Sequence, residues 1–330
     1  MRLDIPIRPR RNRSTYQIRE LVREVRVSAS DLILPMFVIE GGRLEEPIFS
    51  MPGISRYSSD LIVEKAAEAF GLGIPAIALF PRIDKAKKNR EASEATNPAG
   101  LIQRTVSLIK KNLPDIIVIT DVALDPYSSD GHDGILINNE VVNDQTIKIL
   151  CKMAISQAEA GADIVAPSDM MDGRIGFIRK ALDEANFPQV GIMSYTAKYA
   201  SNFYGPFREA LDSDPKVGDK RTYQMDPGNS REALRELQLD IHEGADIVMV
   251  KPALPYLDII NRIRSHSNLP IAAYQVSGEY SMIKAAEKEG WIDISNAMEE
   301  TLVSIKRAGA DMILTYFAQE MAKILKKQTK

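Results

Sequence analysis

"HEGADIVMVKPALPYLD" occupies residues 242 to 258. Its first half reads as a joint, in which a glycine that tolerates positive φ stops a helix and a buried strand follows at once. The same phrase returns as "EAGADIV" at 159 to 165 and as "RAGADMI" at 307 to 313. Outward from these joints, Val-, Ile- and Leu-rich runs recur at 32–40, 74–80, 115–125, 162–169, 189–195, 245–251, 270–277 and 310–317. They are continuous apolar runs without polar alternation, as expected for strands covered on both faces of a parallel sheet. Between them lie segments with apolar residues at helical spacing, such as "DLIVEKAAEAFGLG", "NDQTIKILCKMAISQAEAGA" and "SNAMEETLVSIKRAGA". About eight alternating strand-helix units predict an α/β fold of the closed (β/α)8 type, a TIM barrel. An open doubly wound sheet is the alternative, but "VIEGGRLEEP" after the first run lacks the G-x-G-x-x-G phosphate loop.

Composition narrows the function classes. The chain has 330 residues, 45% hydrophobic and 26% charged, enough apolar material for one large core. A formal net charge of -3 provides no global field for nucleic acid, and the basic run "RPRRNR" at 8 to 13 is local. No apolar stretch reaches the ~18 residues of a membrane span, and the first residues lack a secretory apolar core. The single Cys151 forms no intrachain disulfide, so a reducing, cytoplasmic setting is expected, with a plastid as the other option. Residues 1–28 precede the first strand and predict an extended arm, either free or clasping a neighbouring subunit. Residues 29–330 form the barrel.

Active sites of such barrels lie at the carboxyl ends of the strands, which directs attention to Lys251 and Lys198. Lys251 ends an apolar run, and Lys198 lies where the fifth strand opens into "KYASNFYG". A lysine of ordinary pKa is neutral only about once in 2500 at pH 7, and burial beside a like charge raises that fraction. A neutral amine attacks a ketone or aldehyde to form a Schiff base, an electron sink. A solvated strand-end cap is the bland alternative for a lone lysine; two on neighbouring strands favour chemistry.

Other polar clusters carry weaker signals. "DVALDPYSSDGHDG" packs Asp121, Asp125, Asp130, His132 and Asp133 into one segment, suited to a hard cation or a hydrated turn. His132, His242 and His266 are scattered, which predicts surface or capping roles. The segment 198 to 229 is long for a strand-helix connection and predicts a lid, whose Arg208 and Lys220 could hold a carboxylate. Glu232, Glu236 and Asp240 recur along one helical face, where Arg231 and Arg235 could offset their repulsion or a divalent cation could bind.

Taken together, "RPRRNR", "DVALDPYSSDGHDG", "APSDMMDGRIG", "SYTAKYASNFYGPFREA", "GDKRTYQMDPGN", "MVKPALPYLDI", "VSGEY" and "AGADMILTYF" resemble the porphobilinogen synthase (5-aminolevulinate dehydratase) family over nearly the whole chain. The resemblance implies a (β/α)8 hydro-lyase of tetrapyrrole biosynthesis that condenses two 5-aminolevulinate molecules into porphobilinogen. It implies Schiff bases on Lys251 (propionate side) and Lys198 (acetate side), with Asp121 a proton-transfer group. Arg208 and Lys220 would bind one substrate carboxylate, Ser277 and Tyr316 the other. The zinc-using branch carries three cysteines where this chain has Ala123, Asp125 and Asp133, which argues against catalytic zinc and for the aspartate-rich, magnesium-using branch. Glu236 matches that branch's allosteric magnesium ligand, and Asp125 and Asp133 are further metal candidates. The arm implies a homo-octamer or smaller homo-oligomers. By the lysines alone, a class I aldolase-like Schiff-base lyase is the alternative.

Overall fold

A computed structural model describes residues 5–328, with the Gln328 side chain left out. Eight parallel strands form the barrel: β1 (Leu32–Ile39), β2 (Ala76–Pro81), β3 (Ile117–Val122), β4 (Ile164–Pro167), β5 (Gly191–Lys198), β6 (Ile247–Lys251), β7 (Ile271–Gln275) and β8 (Met312–Thr315). Neighbours in sequence are neighbours in the sheet, and pairing of Leu32 with Ile313 closes the cylinder. Each apolar run overlaps one of these strands, although β2 continues to Pro81 and β5 to Lys198, past the ends of runs 74–80 and 189–195. All eight residues of β1 are buried, as expected where helices cover the outside and side chains fill the inside. A hairpin of Glu45–Pro47 and Ser55–Ser58 extends the sheet beside β1, and a second, Ile135–Ile137 with Glu140–Val142, follows β3.

The repeated phrase has a physical reason. Gly161, Gly244 and Gly309 take φ of +103°, +98° and +126° immediately after their helices, a backbone state costly for other residues. The aspartate of each phrase then clasps the preceding strand. Asp163 Oδ2 accepts from Val118 N at 2.8 Å, Asp246 Oδ2 from Ile192 N at 2.7 Å, and Asp311 Oδ2 from Ile271 N at 2.8 Å. The backbone N–H of each aspartate returns a bond to the carbonyl of the same partner residue. These clasps sit at the amino ends of the strands, away from the chemistry. Asp246→Ala should therefore cost about 1 kcal/mol in stability, measured by denaturant unfolding, while activity changes less than about twofold.

The arm residues described, 5 to 28, are largely exposed and contain two short elements, Pro9–Arg13 and Tyr16–Leu21, the latter capped by the Thr15 side chain. Residues 1–4 of the expected arm lie outside the described residues. Ile5, Ile7, Tyr16, Leu21 and Val22 all expose apolar surface.

Candidate active site

β5 and β6 end side by side, with Lys198 and Lys251 paired in register as their last residues. Between Val248 and Val250 the register slips, because β5 uses three steps where β6 uses two. This bulge re-phases β5, so Tyr195 and Lys198, three positions apart, both serve the barrel mouth. Both lysines are buried, as expected, but their surroundings differ.

Lys251 Nζ lies over four aromatic rings, at 5.1 Å from Tyr195, 5.1 Å from Tyr204, 4.9 Å from Phe207 and 4.8 Å from Tyr274. Among the described residues it has no carboxylate within ion-pair distance. Burial, reinforced by the charge of Lys198 and opposed by Asp121, Asp125 and Asp133, pulls its amine down to about 7. Lys251 is thus prepared to lose its proton near neutrality.

Lys198 has the opposite environment. Its Nζ donates to Asp133 Oδ2 at 2.7 Å and to the Ser168 carbonyl. Asp133 is fully buried and its other oxygen accepts from Lys220 Nζ at 2.5 Å, while Lys220 also reaches Asp125 at 3.3 Å. Burial alone would raise the Asp133 carboxyl, but the two ammonium groups outweigh it and hold it far below the usual range. The two amines therefore differ: Lys251 lies among aromatic rings without a carboxylate in ion-pair distance among the described residues, and Lys198 is ion-paired. In this arrangement Asp125 and Asp133 are engaged by lysine, and no group of three or more His, Cys, Asp or Glu gathers as a metal site among the described residues.

Asp121, on β3, faces this mouth. Burial and the nearby Asp125 push its carboxyl up to about 7, against the lowering influence of Lys198 and Lys251. A carboxyl and an amine that both change charge near neutrality suit proton transfer.

The long segment after β5 covers the site as a lid. It contains a short helix, Gly205–Leu211, that carries Phe207 and Arg208. Arg56 holds this helix at its carboxyl end, donating to Ala210 O at 2.6 Å and Glu209 O at 2.7 Å. Farther along, Lys220 and Gln224 reach in to Asp133. His132, expected in a surface or capping role, is buried against this lid: Nε2 meets Val217 O at 2.8 Å and Nδ1 meets Tyr223 Oη at 3.1 Å. Arg208 is half-buried and forms no ion pair among the described residues. Ser277 Oγ accepts from Phe207 N at 3.0 Å, and Tyr316 Oη pairs with Tyr274 Oη at 2.9 Å. Both lie on the β7–β8 side of the mouth, apart from the Lys198–Lys220 side.

Glu236 stands away from the lysines, in a cavity of about 910 Å³ that Asp172 and Glu232 also line. Burial raises its carboxyl, as do Asp240, Asp172 and Glu232, while Arg174 lowers it. Arg231 and Arg235 form no ion pair among the described residues, so they do not balance the acidic face. Arg174 does: it is buried with Asp240 at 3.9 Å and Asp169 at 3.8 Å. Asp240 itself is buried and accepts from Ser194 Oγ at 2.6 Å, which removes it from the exposed stripe.

Comparison with known proteins gives a consistent result. A profile for the family described as delta-aminolevulinic acid dehydratase matches residues 6–324. The enzyme of that name from Bradyrhizobium diazoefficiens is 53% identical over 99% of this chain and 93% of its own. The chloroplastic enzyme from Physcomitrium patens is 54% identical over 98% and 75% of the two chains. A solved structure of delta-aminolevulinic acid dehydratase (porphobilinogen synthase) from Toxoplasma gondii, in complex with porphobilinogen, superposes with a TM-score of 0.95. That chain is 51% identical, and the match covers 97% of this chain and 92% of that one. With its strand-end lysines in a closed barrel and these matches across nearly all its length, the chain belongs to the delta-aminolevulinic acid dehydratase family.

Proposed function

We propose that the two lysines carry the family's reaction as paired Schiff bases, with the ring-enclosed Lys251 reacting first. The chain is a lyase of porphyrin biosynthesis that condenses two molecules of 5-aminolevulinate into porphobilinogen with loss of two molecules of water. The observation carrying the lysine assignment is the Lys251 amine, enclosed by four rings and drawn down to about 7. Its lone pair attacks the ketone carbon of the first substrate, and the carbinolamine expels water as the imine forms. Asp121 is positioned to exchange the protons of these steps.

The second substrate reacts with Lys198, which passes its proton to Asp121, the carboxyl raised to about 7, while Asp133 stays ionised between Lys198 and Lys220. Each imine accounts for one water. Formation of the carbon-carbon and carbon-nitrogen bonds then closes the ring and returns both lysines. Ser277 and Tyr316 supply hydroxyls for the carboxylate of the substrate on Lys251, and Arg208 with Lys220 supplies cations for the other. The separation of Lys220, which shares Asp133 with Lys198, from Ser277 and Tyr316 after β7 and β8 supports two distinct substrate positions.

For metal, we assign Glu236 to hydrated magnesium, which keeps several waters and needs only one or two carboxylates. The mutual repulsion of Glu236, Asp172 and Glu232 around one cavity supports a cation there. Pyrrole formation from 5-aminolevulinate, assayed after chelation and with magnesium or zinc restored separately, tests this. Magnesium should stimulate the parent, and Glu236→Ala should lose most of that stimulation while still forming the lysine adduct. An equal response of variant and parent would reject the site. Asp125 and Asp133 are better assigned to the lysines than to a metal.

For assembly, the apolar residues of the exposed arm support its packing on another subunit, in a homo-octamer or smaller homo-oligomer. No helix among the described residues is long and apolar enough to cross a membrane. We assign the chain to a reducing compartment, cytoplasm or plastid, consistent with its single half-buried cysteine.

A further inference from the structure

We propose that Glu279 is a positioning residue for the reaction, one buried carboxylate that ties the turn after Lys251 to the turn that presents Ser277. Glu279 is the third residue of the helix Ser277–Lys288, and its Oε2 accepts from Val276 N at 2.7 Å, the cap position of that helix. An ordinary cap would end there, with the acid at the surface. Here the side chain is fully buried and reaches across to the next strand end. Its Oε1 accepts from Leu254 N at 2.7 Å and its Oε2 from Ala253 N at 3.3 Å.

The residues it joins are those the reaction uses. Ala253 and Leu254 follow Lys251 and Pro252, and Val276 immediately precedes Ser277. Lys251 binds the first substrate covalently, and Ser277 its carboxylate, so the two turns must keep one fixed separation. Glu279 holds it with three backbone N–H groups and no cation within ion-pair distance among the described residues. Burial raises its carboxyl to about 7 while the three N–H groups oppose this. The lid shares the anchor: Phe203 backbone lies so close to Gly278 that a side chain there would meet its Cα at 2.7 Å, and Tyr204 Oη donates to the Lys251 carbonyl at 3.2 Å.

The proposal rests on Lys251 and Ser277 acting on one substrate, and the test separates the two questions. Glu279→Gln places an amide NH2 against an N–H donor and breaks one arm. Glu279→Asp keeps a charge near the helix start but is a methylene too short to span both turns. Both should lower kcat about a hundredfold, the scale of a 1 Å misplacement of reacting groups, while KM changes less than about threefold. Asp293→Ala is the control, removing the bond from Asn296 N at 2.8 Å that caps the helix Ile294–Ala308. It should lower the thermal midpoint and leave kcat and KM unchanged. Folded Glu279→Gln and Glu279→Asp with kcat within about threefold of the parent would overturn the proposal. A parent that gives no borohydride-trapped adduct on Lys251 would instead remove the assignment beneath it.

Discussion

Lys251→Met should lower kcat for porphobilinogen formation at least about ten-thousandfold and leave the thermal midpoint unchanged or higher. The two halves of that expectation share one cause. The amine is enclosed by Tyr195, Tyr204, Phe207 and Tyr274 and lacks a carboxylate partner, so the folded protein tolerates it but does not gain from its charge. Methionine of similar length keeps the ring contacts and removes the desolvation cost, but it has no lone pair for the ketone. Steady-state kinetics and a thermal melt check both. A variant that unfolds, or one that keeps a tenth of the activity, would contradict this account of the site.

The second large effect concerns the acid between the other two lysines. Asp133→Asn should lower kcat/KM at least about a hundredfold and cost about 3–5 kcal/mol of stability, because it leaves buried Lys198 without a countercharge and Lys220 with Asp125 alone. Denaturant unfolding measures the cost. The double variant Asp133→Asn with Lys198→Met should recover part of the stability, since the orphaned charge is gone, but not the activity. Additive losses in stability would mean that Asp133 and Lys198 do not act as a pair.

The wild-type pH dependence follows from Lys251. Its amine is held below its unfolded value of 10.5, at about 7, so the folded chain binds fewer protons than the unfolded chain between those values. This group therefore contributes increasing stability as pH rises across that window. Its reactivity rises over the lower edge, as the neutral amine becomes the main species near pH 7.

Much of the architecture was legible because parallel strands covered on both faces leave uninterrupted apolar runs. The Gly-Ala-Asp joints announced helix ends even before their aspartates were seen to clasp the preceding strand. Lys198 and Lys251 were legible for a related reason: an amine closing such a run contradicts its surroundings. The contrast between the two lysines was not legible. It depends on Asp133, 65 positions from Lys198 and 87 from Lys220, and on a bulge that turns Tyr195 towards Lys251. Sequence spacing registers neither. The acidic segment suggested a cation or a hydrated turn, and the ion pairs of Asp125 with Lys220 and of Asp133 with Lys198 and Lys220 come from residues far along the chain.

Three further placements were hidden for the same reason. Asp240 shares one helical face with Glu232 and Glu236 in the sequence, yet Arg174 from another helix pairs with it in the interior. Glu279 carried no signal of its own in the sequence, and only the fold reveals that its second oxygen crosses to another strand end. His132 carried no neighbouring signal at all, since its partners Val217 and Tyr223 arrive on the lid.

Borohydride reduction with 5-aminolevulinate, followed across pH and mapped by peptide analysis, tests the central claim most directly. The first adduct should lie on Lys251, and its rate of formation should rise about tenfold per unit below pH 7 and level off above it. An adduct confined to other lysines, or a rate that keeps rising towards 10.5 as for an ordinary lysine, would contradict an amine drawn down to about 7 by burial and by the charge of Lys198.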